Sequence, residues 1–251
     1  MDPKNQKILL IVIVIIVALV SVLAILGPML LEALHIIPSS HQMGANVLVL
    51  GTPSVDVITT LSGREAVMKG ISYPINLDPS YITLDTLKIY NVVILQGDPY
   101  FDMNTREMVN QYVQGGGKLI IVGDAGSKHP MYPNVAGWSW PSGQGIPVPA
   151  EIIGEWAGWS DISYGSTLRW ADQNHPIVKG LKLTGSTTTT PTQVFKVTAQ
   201  GKAIAAIDTD EGTLPAIIEG GSGLGNVIYF AYDPGQTPEI LLTTVGYLAG
   251  I

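Results

Sequence analysis

The stretch from Asn91 to Ser127 constrains the fold more than any other. Asn91-Val-Val-Ile-Leu95 and Lys118-Leu-Ile-Ile-Val122 are short, nearly continuous apolar runs, and Asn104 to Gln114 between them carries apolar residues at helical spacing. Strands buried on both faces of a parallel sheet need such runs, and a helix joining two of them makes a βαβ unit. Asn104 is expected to cap the helix, with Glu107 reaching back to the cap's own N–H, and Gly115-Gly-Gly117 to end it. Met108, Val109, Tyr112 and Val113 then share one face. In open parallel sheets ligands sit beyond the carboxyl ends of the strands, so Gln96-Gly97-Asp98 and Gly123-Asp124-Ala125-Gly126 mark the expected site.

The flanking chain extends this pattern. Asn46 to Leu50 reads as a first strand, Val55 to Lys69 as helix interrupted near Ser62-Gly63, Ile71 to Leu77 as a second strand, and Thr83 to Tyr90 as a short helix. The order through Val122 is β-α-β-α-β-α-β, which implies right-handed crossovers. Beyond it, Ser166 to Trp170, Gln193 to Val197, Ala203 to Asp208, Pro215 to Glu219 and Asn226 to Ala231 are β-favourable runs, with Thr187 to Thr190 and Pro191 as a loop. Glu239 to Leu248 closes the chain as a helix. The expected class is α/β, a doubly wound, mostly parallel, flavodoxin-like sheet with extra C-terminal strands, occupying 46–251.

Ahead of this domain, Lys4 and Lys7 precede Ile8 to Leu26, nineteen residues without a charge, and the apolar character persists to Leu31. That length crosses a hydrocarbon core. A cleaved signal peptide competes, but its apolar region is about 7 to 15 residues, and no small-x-small site follows closely. The expectation is a single transmembrane helix over 8–31, with a cytoplasmic tail at 1–7 and a juxtamembrane linker at 32–45. Two lysines before the span and Glu32 after it put the N-terminus in the cytoplasm and the domain outside it.

Composition removes several functions. With 20 Asp and Glu against 13 Lys and Arg, and no basic cluster beyond the first seven residues, nucleic-acid binding has no electrostatic basis. The absence of cysteine excludes disulfides, thiolate ligands and a cysteine nucleophile. No motif demands a cofactor. The segment 128–170 holds all five tryptophans, Trp138, Trp140, Trp156, Trp159 and Trp170, with Tyr132 and Tyr164 among Gly and Pro. Leaving from the turn after Val122, it is expected to lie over the carboxyl edge as a functional loop. Its aromatics either stack on sugar rings or fill a partner's pocket, or they form the loop's own small core.

The Val92 to Gly126 pattern resembles the class I glutamine amidotransferase-like fold, especially its non-amidotransferase branches related to trehalose-utilisation proteins. Asn174-His-Pro-Ile-Val-Lys-Gly-Leu181 resembles the "HP-I-x-x-G-L" phrase of those branches, and Gly223-Leu-Gly-Asn-Val-Ile-Tyr-Phe230 their closing "G-x-G-x-V-x-Y-F" strand. The resemblance covers roughly Ala45 to Ile251 and implies an amidotransferase-like sheet. In the amidotransferases the turn after the equivalent strand carries a cysteine nucleophile, helped by a histidine and an acidic residue. Here Gly123-Asp-Ala-Gly-Ser127 offers Asp124 and Ala125 instead, so glutamine hydrolysis through a thiolate is excluded.

Two functional expectations follow. The first is a non-catalytic, membrane-anchored accessory or binding subunit that presents Gln96, Gly97, Asp124, Ala125, Tyr132, Trp138, Trp140, Trp156 and Trp159 to a protein partner. The second is a carbohydrate-active or hydrolytic enzyme built on Asp98, Asp124, Ser127 and His129. In it Ser127 would need His129 or His175 as base and Asp98 or Asp124 as orienting acid, while Asp98, Asp124 and His129 together would suit a hard metal or sugar hydroxyls. His175, ahead of a proline, is expected instead to hydrogen-bond backbone in a turn.

Overall fold

The computed structural model describes residues 44–72, 74–139, 145–153, 161–181 and 185–251. The expected span over 8–31 lies outside them, as do 1–7 and 32–43. Among the described residues no helix is long and apolar enough to cross a membrane.

Strands β1 (Val47–Gly51), β2 (Ile75–Leu77), β3 (Val92–Gln96) and β4 (Lys118–Val122) pair in parallel in the order β2-β1-β3-β4. Val92 to Leu95 and Leu119 to Ile121 are fully buried. Each such side chain contributes roughly 1.5–3 kcal/mol by leaving water, which is why these runs are continuous rather than alternating. The crossovers carry α1 (Val55–Ser62) and α2 (Arg64–Met68), divided at Gly63 as the sequence predicts, then α3 (Leu84–Lys88) and α4 (Met103–Gln114). On α4, Val109, Tyr112 and Val113 are buried and Met108 packs beside them, the face expected from the spacing.

A later segment completes the parallel region. β13 (Gly225–Phe230) pairs with β4, Asn226 opposite Lys118 and Phe230 opposite Val122. The order β2-β1-β3-β4-β13 is that of flavodoxin-like doubly wound sheets. Beyond β13 the sheet runs antiparallel through β12 (Gly212–Ser222), β11 (Lys202–Thr209), β8 (Ile162–Trp170) and β9 (Ser186–Phe195). It is therefore mixed, not mostly parallel. The cause is local: Asp210-Glu211 and Gly223-Leu224 are two-residue connections, and only antiparallel neighbours can be joined so tightly.

Other boundaries also move. Thr187 to Thr190, expected as a loop, belong to β9, which lies at the edge of the sheet and so tolerates Pro191. The segment 128–170 is not one irregular loop: β5 (Lys128–His129) and β6 (Tyr132–Ala136) form a hairpin, and β7 (Ala150–Ile152) pairs with β10 (Val197–Ala199). Ile71 makes a single bridge to Ala45, short of β2. The phrase at His175 is a helix start, with His175 as the cap of α5 (Pro176–Lys179) and Ile177, Val178 and Leu181 buried. α6 (Pro238–Ala249) ends at Gly250 in the left-handed conformation.

The cap of α4 is Asp102, whose carboxylate accepts from the Thr105 N–H at 2.7 Å, not Asn104. Phe101 explains the shift. Its N–H donates to the Lys128 carbonyl at 2.9 Å and its ring is buried, so the helix must start directly after it. Glu107 instead accepts from Gln111 Nε2 at 2.7 Å. Asp102→Ala should therefore lower stability by about 1 kcal/mol. Asn104→Ala should stay within about 0.5 kcal/mol. Urea unfolding of both variants measures the difference.

Candidate functional site at the carboxyl edge

The carboxyl ends of β1, β3, β4 and β13 bring together four turns. At the end of β3, Gln96 is buried and its Nε2 donates to Asp233 Oδ1 at 3.2 Å and to Ser54 Oγ at 3.4 Å, tying the carboxyl end of β3 to the turns after β1 and β13. Ser54 caps α1 through the Val57 N–H, and Asp233 also accepts from the Gly235 N–H at 2.9 Å. Gly97 has φ +80°, and a Cβ there would stand 2.0 Å from the Thr52 carbonyl oxygen. It is a glycine because two turns touch, not because a ligand approaches.

The switch point between β1 and β3, where a doubly wound sheet opens a crevice, is covered by the protein's own chain. The 3-10 turn Pro234–Gln236 packs on the N-terminus of α1 so closely that a Cβ at Gly235 would lie 2.5 Å from Asp56 Cβ and 2.6 Å from the Val57 nitrogen. Gln236 Nε2 donates to Asp56 Oδ2, and Thr190 Oγ1 donates to Gln236 Oε1. The exposed donors of a helix start, which elsewhere receive anions, are here occupied by a turn.

The second half of the edge is filled as well. Trp138, 3% exposed, donates Nε1–H to the Ala125 carbonyl at 2.8 Å and stands edge-on to Tyr229 with ring centroids 5.4 Å apart. It is a core residue rather than a stacking platform, and Ala125 is buried beneath it. Phe195 lies against Gly123. Arg106, buried on α4, donates Nε–H to the Phe101 carbonyl and Nη1–H to the Gly137 carbonyl, both at 3.2 Å, fastening the β5–β6 segment to the helix. Burial lowers its pKa to about 10. Trp140, Trp156 and Trp159 lie outside the described residues.

The candidate catalytic side chains do not assemble. Ser127 Oγ is buried and has no hydrogen-bond partner among the described residues, so neither histidine reaches it. His129 is buried in the hairpin, where its Nδ1 accepts from the Met131 N–H at 3.0 Å. Asp98 accepts from the Tyr100 N–H at 2.9 Å and so shapes its own turn. His175 is remote from the edge: its Nδ1 accepts from the Ile177 N–H at 3.3 Å, and Nε2 meets Glu219 Oε2 at 3.0 Å. The expected backbone bond is present, but at the start of α5 rather than in a turn. Among the described residues no three of His, Asp and Glu converge as metal ligands. A serine without a base is a poor nucleophile, and among the described residues none hydrogen-bonds Ser127 Oγ.

What the edge does present is surface. Tyr100 is 43% exposed, Met131 76% and Tyr132 52%, and Lys128 Nζ lies 5.8 Å from the centre of the Tyr100 ring. Tyr132 also tilts against His129, centroids 5.4 Å apart. Of the described residues that the sequence nominated for partner binding, Tyr132 is the exposed aromatic. Asp233, Tyr229 and Arg106 went unnominated. The Asp-Pro-Gly turn after the closing strand signalled the first, and the single basic residue within α4 signalled the last.

No protein-family model matches the chain, and no curated protein matches it in sequence. Solved structures do match in shape. β-Galactosidase from Bacillus circulans sp. alkalophilus aligns with 82% of this chain over 31% of its own, at 14% identity and a TM-score of 0.60. The β-galactosidase of the haloarchaeon Halorubrum lacusprofundi aligns with 86% over 32% of its own, at 16% identity and a TM-score of 0.57. A ThuA-like protein from Bacteroides uniformis aligns with 84% over 95% of its own, at 15% identity and a TM-score of 0.52. The chain thus spans less than a third of these β-galactosidases. At such identities the likeness shows the fold alone, an α/β domain with a doubly wound core.

Burial raises the Asp124 carboxyl above its ordinary range, with Lys128 opposing the shift, and Asp124's charge helps burial push Tyr229 well above the usual phenol range. A carboxyl whose folded-state pKa is raised binds its proton more tightly when folded. Its ionisation therefore costs stability at neutral pH, and the cost vanishes as pH falls below the unfolded pKa. Asp124→Asn should be more stable than the parent at pH 7, and the advantage should shrink towards pH 4. Urea midpoints at several pH values read this directly.

Proposed function

We propose that this chain is a single-pass, membrane-anchored, non-catalytic member of the amidotransferase-like fold. In this reading it holds its α/β domain outside the cytoplasm as a binding or accessory subunit of a membrane complex. The observation that carries the non-catalytic part is the occupied crevice: the Pro234–Gln236 turn on α1, and Trp138, Tyr229 and Phe195 across the rest of the edge. The uncharged run Ile8 to Leu26 behind two lysines supports the anchor. The exposed Tyr100, Met131 and Tyr132 support a protein partner, since aromatics and Met are enriched where proteins meet.

The alternative, a carbohydrate-active or hydrolytic enzyme using Asp98, Asp124 and His129, is less well supported, because Asp98 and His129 each bind their own backbone. Extraction of the native protein in mild detergent, with sizing and mass analysis, tests the proposal. A stoichiometric companion is expected, and Met131→Ser with Tyr132→Ala should weaken its retention by about 5- to 30-fold, as loss of about 1–2 kcal/mol does. A solitary monomer would contradict the reading.

A further inference from the structure

We draw no further inference here: the strongest candidate, the cavity of about 600 Å³ between α5 and the carboxyl half of α6, lined by Pro176, Gly180, Leu242, Tyr247 and Ile251, is an unpartnered groove, and nothing in the structure shows what covers it.

Discussion

The pairing of β13 with β4 is the contact on which the rest of the domain depends. β4 ends the run of crossover-connected strands, and β13 arrives from a set of hairpins, yet the two lie in parallel register from Asn226 opposite Lys118 to Phe230 opposite Val122. That register sets Tyr229 close enough to Asp124 to feel its charge, and delivers Asp233 to the Gln96 amide. It also feeds the chain into the Pro234–Gln236 turn and then α6. The antiparallel half hangs from the other side of β13, and the end of β9 returns to it, Phe195 N–H donating to the Ala231 carbonyl at 2.7 Å. Both halves of the sheet therefore converge on one strand.

This convergence accounts for the character of the carboxyl edge. In a sheet of this order an open crevice would lie between the turns after β1 and β3. Here the segment following β13 occupies it, while Phe195 of β9 and Trp138, just past the β5–β6 hairpin, cover the remainder. Buried polar atoms such as Ser127 Oγ and Tyr229 OH lie under that cover with no hydrogen-bond partner among the described residues, each costing about 1–3 kcal/mol. A cost of that kind is tolerable in a packing layer. It would serve a catalytic site only if another group came within reach, and the adjacent groups are held by their own turns.

The parallel core was legible in the sequence because continuous apolar runs such as Val92 to Leu95 have few other solutions. The split at Gly63 and the stop at Gly115 to Gly117 were legible because glycine there has a direct backbone consequence. The cap of α4 was not, since Asp102 and Asn104 are equally good cap formers and the choice depends on Phe101 bonding to Lys128, a contact across the fold. Tryptophan content alone could not separate a binding loop from a packed one, and Trp138 and Trp170 are packed. The mixed sheet was readable in principle: the gaps between the late strands are too short for crossover helices. Separation of the proposed triad was not, because it depends on the hairpin that turns His129 back on Met131.

The central claim is that the crevice is filled by the Pro234–Gln236 turn as part of the packed layer, and native-state hydrogen exchange tests it most directly. The Gly235, Gln236 and Thr237 amides, bonded to Asp233 Oδ1, the Asp233 carbonyl and the Pro234 carbonyl, should exchange with the same free energy as the core strands β3 and β4 if the turn is part of the packed layer. Exchange of these three amides at loop rates, while β3 and β4 stay protected, would mean that the turn opens as a lid over a usable site and would contradict the account.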